Sequence, residues 1–99
     1  ALLEKKVPVI SIATPGQVFE KVISNAQEAK ARDSFLIGIA PECEGTEIFD
    51  YLMPLPITNE WLSPLVSVIP LQLLSYHIAA HRGLDVDQPR NLAKSVTVE

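Results

Sequence analysis

Two short apolar runs constrain this chain more than any other feature: Val7–Ala13 (VPVISIA) and Ser34–Ala40 (SFLIGIA). Neither alternates polar with apolar, as a strand with one wet face would. A strand that is apolar at nearly every position has both faces covered, as in a parallel sheet between helical layers. Between the two runs the period changes to that of a helix, to about Arg32. Val18, Phe19, Val22, Ile23, Ala26 and Ala29 share one face, while Glu20, Lys21, Glu28, Lys30 and Arg32 are placed for water. Thr14-Pro15-Gly16-Gln17 reads as the helix start, with Thr14 as cap, Pro15 at the first helical position and Gln17 at capping-box spacing. Strand, amphipathic helix and strand make a β-α-β unit with a right-handed crossover, so the predicted class is α/β.

The remainder adds three elements. Tyr51–Leu55 is predicted as a third strand, and Pro54 and Pro56, which remove backbone donors, put it at an edge. Ser63-Pro64 opens a second helix with Ser63 as cap. That helix is apolar nearly all round, which predicts a central, buried position, with a kink at Pro70. Trp61–Ala80 is long enough to span a bilayer, but Ser63, Pro64, Ser67, Pro70, Gln72, Ser75 and His77 interrupt it. It is read as a helix of a soluble domain, with no membrane partner. Arg82-Gly83 is a helix stop, and the segment from Leu84 to Glu99 has no sustained period.

Composition then narrows the function classes. With 99 residues the chain is one domain or part of one. At 47% hydrophobic and 20% charged residues it is too apolar to be disordered. A net charge of -4 argues against a nucleic-acid partner, which requires a clustered basic face. Cys43 is the only cysteine, which excludes an internal disulfide and a multi-cysteine zinc site and fits a reducing compartment. His77 and His81 have helical metal-ligand spacing, but the glutamate of an HExxH motif is missing, since Ile78 and Ala79 follow His77. They are read as packed or surface histidines, and no metal is expected. Glu42, Glu44, Glu47 and Asp50 match no calcium-loop spacing and are read as a solvated loop.

The C-terminal run Asp85-Val86-Asp87-Gln88-Pro89-Arg90-Asn91-Leu92-Ala93-Lys94-Ser95-Val96-Thr97-Val98-Glu99 resembles the C-terminus of the glucosamine-6-phosphate synthases, the glutamine–fructose-6-phosphate aminotransferases (isomerizing). Pro70-Leu71-Gln72-Leu73-Leu74-Ser75-Tyr76-His77 and Arg82-Gly83 resemble that family's last long helix. The resemblance implies a fragment. Residues 1–83 correspond to the second half of the second sugar-isomerase (SIS) subdomain, part of a flavodoxin-like parallel sheet flanked by helices. Residues 84–99 correspond to an irregular tail that reaches the active site. It implies a fructose 6-phosphate or glucosamine 6-phosphate ligand, no cofactor, a cytoplasmic setting, and the rest of the synthase, including its glutaminase domain, as partner.

Residue by residue, the family's Asn-Leu-Ala-Lys-Ser pattern falls on Asn91–Ser95 without a gap. The resemblance therefore implies that Lys94 is the catalytic amine and that Ala93 and Lys94 contact the sugar. Leu92 and Val96 would flank the ammonia route or simply dock the tail, and Arg90 and Asp87 could pin it. The family's glutaminase cysteine, phosphate-binding loops, ring-opening histidine and glutamate base have no counterpart here, so the fragment alone is expected to be inactive. Bare strand edges and apolar faces predict oligomerisation or a partner. Two alternatives stay open: another SIS-domain phosphosugar protein (a deglycase or a regulator's sensor), and a non-enzymatic association module.

Overall fold

The computed structural model describes residues 7–88. Three strands, β1 (Pro8–Ile12), β2 (Phe35–Ala40) and β3 (Tyr51–Pro54), form one sheet in the order β1-β2-β3. Both pairings are parallel, with Ile10 opposite Ile37 and Ile37 opposite Tyr51. Helix α1 (Phe19–Lys30) crosses between β1 and β2, and helix α2 (Ser63–His81) follows β3. The predicted β-α-β unit and the edge position of the third strand are both present.

Register and alternation divide the sheet into two faces. Val9, Leu36, Ala40 and Leu52 pack in one core cluster with Ile23, Ala26 and Ala29 of α1. The face with Ile10, Ile12, Phe35, Ile37, Ile39, Tyr51 and Met53 is the other one. On the first face Gly38 has a specific role. A Cβ there would stand 2.3 Å from the Phe49 ring, so the missing side chain is what lets that ring lie on the strand. Phe49 is itself buried in the cluster.

Asp50 is exposed, as a solvated loop predicts, but it is not free of the fold. Its backbone N–H donates to Leu36 O at 2.9 Å, and its carboxylate accepts from Leu36 N–H at 2.7 Å. Lys30 approaches the same carboxylate at 3.7 Å and also donates to Ile48 O. The residue therefore ties the start of β3 to the start of β2 and both to the end of α1. The two amide bonds carry most of the effect, because a half-exposed lysine pair contributes only about 0–1 kcal/mol. Glu47 is also engaged, accepting from Gly45 N–H at 2.8 Å.

Two predicted caps are displaced. Helix α1 begins at Phe19, with Val18 as its N-cap and no side-chain capping bond. Thr14 and Pro15 lie before it in the loop. Ala13 N–H still donates to Ile39 O at 2.9 Å, so the chain stays with the sheet past β1 and must turn at Gly16, with φ +148°, before the helix can start. At α2 the capping side chain is Asn59, which accepts from Trp61 N–H at 2.9 Å and opens a short 3-10 turn, Glu60–Leu62. Ser63 is already the first helical residue, and its hydroxyl donates back to Glu60 O.

The helix ends are better foretold. Gly83 has φ +71°, with Gly83 N–H to Ala80 O at 3.0 Å and Leu84 N–H to Ala79 O at 2.8 Å. This is the paired Schellman closure that a glycine after the cap provides. The same pattern ends α1, where Asp33 takes the left-handed position at φ +62°. Ser34 N–H then reaches Ala29 O at 3.3 Å and Asp33 N–H reaches Lys30 O at 2.9 Å.

Helix α2 is not the buried central element its sequence predicts. It runs unbroken through Pro70, but only Ser63 and Ser67 are buried. Leu65 is 66% exposed and Leu73 54%. The reason is a shortage of neighbours: among the described residues the helix's main approach to the sheet is at β2. Glu60–His81 is long and apolar enough to cross a membrane by length and composition, with 11% of its most apolar window buried.

Replacing Gly38 with Ala should force the Phe49 ring off the strand and destabilise the chain by about 1–3 kcal/mol, the usual cost of overpacking. Urea denaturation of the two chains checks this, and identical midpoints would contradict the close approach.

Candidate functional site

Because all three strands are parallel, the loops that leave their C-terminal ends gather at one end of the sheet. In open α/β sheets this end is where ligands bind. Here it carries the loop from Ala13 to Val18 after β1, Pro41–Gly45 after β2, and Leu55–Asn59 after β3. A shallow hollow of about 370 Å³ opens there, lined by Pro15, Gly16, Gln17, Phe19, Glu20 and Cys43.

The loops are fixed from within. Thr46, buried in the turn after β2, accepts from Cys43 N–H at 3.2 Å and donates to Cys43 O at 2.7 Å. Cys43 keeps an exposed thiol. Across the hollow's rim, Glu60 from the turn before α2 lies over Gly16, and a Cβ on Gly16 would stand 2.5 Å from Glu60 Oε1. This contact brings the β1 loop and the α2 start together, and no local pattern announces it, since the two residues are far apart in sequence. The lining contains no histidine or lysine.

Beyond α2 the chain turns back on itself. Asp85 Oδ1 accepts from Asp87 N–H at 2.9 Å and Gln88 N–H at 3.2 Å, which tightens the turn. Asp85 and Val86 then line an open groove against α2 with Leu71, Gln72, Ser75, Tyr76 and Ala79.

No family model matches the chain. Individual proteins match over its whole length. It is 69% identical over 101 residues to glutamine–fructose-6-phosphate aminotransferase [isomerizing] of Thermosynechococcus vestitus, covering 100% of this chain and 16% of that protein. The same enzyme of Nostoc sp. is 70% identical with the same coverage, and that of Thermococcus kodakarensis 54% identical over 99 residues, again 16% of its length. Among solved structures, the C-terminal domain of glucosamine-fructose-6-phosphate aminotransferase from Francisella tularensis superposes with a TM-score of 0.78. That match has 36% sequence identity and covers 89% of this chain and 26% of the other.

The chain belongs to the glutamine–fructose-6-phosphate aminotransferase (isomerizing) family, as a segment of its C-terminal domain. It spans about a sixth of the length of the relatives it matches. The α/β class and the parallel sheet agree with the aminotransferase domain fold. Of the site residues that the family resemblance implies, Ala93 and Lys94 lie outside the described residues, as do Arg90, Leu92 and Val96. Asp87 is described, and its backbone N–H donates to Asp85 Oδ1. His77 and His81 are exposed on α2, away from the hollow, with the His77 ring edge-on to Tyr76 at 5.3 Å. Among the described residues no three His, Cys, Asp or Glu side chains gather as a metal site.

Gly16→Ala should destabilise by about 1–2 kcal/mol, because an L-residue is strained in that backbone region. Glu60→Ala, at an exposed position, should change stability by less than about 0.5 kcal/mol. In the double variant the Gly16→Ala loss should persist, since it comes from the backbone and only a flexible side-chain end is relieved. Full recovery in the double variant, measured by thermal unfolding, would show that the steric contact dominates instead.

Proposed function

We propose that the chain serves as part of the isomerase domain of an enzyme that makes glucosamine 6-phosphate from fructose 6-phosphate and glutamine. The observation that carries this is the match to the aminotransferases at 69–70% identity through 100% of the chain, the C-terminal tail included. Residues 1–83 form the second half of the second sugar-isomerase subdomain, and residues 84–99 form the tail that completes the active site. The setting is the cytoplasm, the ligand is the sugar phosphate, and the partners are the rest of the synthase with its glutaminase domain and a second copy of the enzyme.

Lys94 is the residue that carries chemistry. A neutral lysine amine adds to the C2 carbonyl of the open-chain ketose and loses water to give a Schiff base. This requires an amine whose pKa is lowered by burial or by cationic neighbours. Ala93 contacts the sugar through its backbone beside it. The gap-free match of Asn91–Ser95 to the family's Asn-Leu-Ala-Lys-Ser pattern supports the assignment. Residues 1–99 alone carry no glutaminase nucleophile or phosphate cradle and are inactive by themselves.

In the complete enzyme, Lys94→Ala should lower glucosamine 6-phosphate formation by at least 1,000-fold, on the order of the loss when a covalent catalyst is removed. Glutamine hydrolysis should remain. Coupled assays of both products check this, and near-normal amino-sugar synthesis by the variant would refute the role of Lys94.

A further inference from the structure

Helix α2 is closed by two devices in succession. The first uses backbone alone: Gly83 at φ +71°, with Gly83 N–H bonded to Ala80 O and Leu84 N–H to Ala79 O. The second uses a side chain. Asp85 Oδ1 accepts from Asp87 N–H at 2.9 Å and from Gln88 N–H at 3.2 Å. One carboxylate oxygen thus holds the amides two and three residues on, which is how an aspartate builds a turn from its own side chain. The next residue, Pro89, has no N–H to satisfy and disfavours helical backbone at Gln88. The path by which the chain leaves α2 is therefore set from Gly83 to Gln88.

Asp85 is exposed and lies outside every helix and strand, so the fold gains little burial from it. Asp85 and Val86 border one groove with Gln72 and Tyr76 of α2, which seats the turn beside the helix. The consequence of the turn lies downstream. Lys94 follows Gln88 by six residues, and six residues reach at most about 22 Å. On so short a tether, the direction at the root decides the space that the amine explores. Without the carboxylate the root becomes a hinge, and the fraction of molecules with the amine at the sugar falls. A rate that needs the aligned state falls in the same proportion.

We propose that Asp85 is a positioning residue for amino transfer: its side-chain oxygen fixes the direction in which the tail leaves α2, and so sets how often the Lys94 amine meets the open-chain sugar. This rests on the role proposed above for Lys94.

The test compares Asp85→Ala and Asp85→Asn in the complete enzyme. Asparagine keeps an oxygen acceptor without the charge, whereas alanine removes the acceptor. Enzyme and fructose 6-phosphate are mixed without glutamine, and borohydride is added for a fixed short time. Its hydride adds to C2 of the Schiff base and leaves a stable secondary amine on Lys94, counted by peptide mass spectrometry. Asp85→Ala should lower both this adduct and kcat for glucosamine 6-phosphate by about 5–10-fold, the size expected when a capping side chain is lost. Its Tm should stay within about 1 °C of the unaltered enzyme, as for an exposed site. Asp85→Asn should retain at least half of the adduct and of kcat. Normal adduct yield in Asp85→Ala, a defect in Asp85→Asn as large as in Asp85→Ala, or a loss matched by a Tm lowered by several degrees would overturn the proposal. An unaltered enzyme that gives no Lys94 adduct would refute the role of Lys94 itself, and the proposal with it. A normal adduct in both the unaltered enzyme and Asp85→Ala would overturn the positioning role alone.

Discussion

Everything in this structure depends on β2 being apolar on both sides. The strand is hydrogen-bonded on both edges, so only a covering layer on each face can remove Leu36 and Ile39 from water. Burying each such side chain stabilises by about 1.5–3 kcal/mol. Helix α1 supplies one layer because its small residues Ala26 and Ala29 let it sit close to the sheet. Helix α2 approaches the sheet at β2, but Ile10, Phe35 and Tyr51 on the face opposite α1 remain open. The structure is thus complete on one side and unfinished on the other.

That imbalance also accounts for α2. A helix with apolar residues all round its axis satisfies itself only when protein surrounds it. Here its main approach to the sheet is at β2, and Leu65 and Leu73 stay more than half exposed. The solved domain that the chain resembles is roughly four times the size of the matched part. The same parallel topology fixes the location of the loops. With every strand running one way, the β1, β2 and β3 exits meet at a single end, and the contact of Glu60 with Gly16 closes their rim.

Much of this was legible in the sequence, and the parts that were not share a cause. The strands Val7–Ala13 and Ser34–Ala40, the helix between them, the edge strand with its prolines and the Arg82-Gly83 stop are local patterns, and each is present to within a few residues. The caps went astray because Thr14 and Ser63 have the right chemistry for a role that tertiary geometry gave elsewhere. Ala13 remains bonded to β2, and Asn59 lies one turn earlier than Ser63. Asp50 looked like one more acid in an acidic loop. Its role comes from the backbone of Leu36, fourteen residues away, which no local pattern can show. The burial of α2 was misjudged for a related reason, since apolar composition states what a helix needs and not whether the neighbours are present. Ala93 and Lys94 sit in a stretch without periodicity and could be singled out only through family resemblance, and they lie outside the described residues.

Amide hydrogen exchange on the isolated chain tests the central claim most directly. If one face of the sheet is complete and the other bare, the amides of Leu36–Ala40 in β2 should exchange slowest. Those of α2 beyond Pro70 should exchange at least 100-fold faster and slow markedly in the full-length synthase. Protection of α2 equal to that of β2 in the isolated chain would contradict the account.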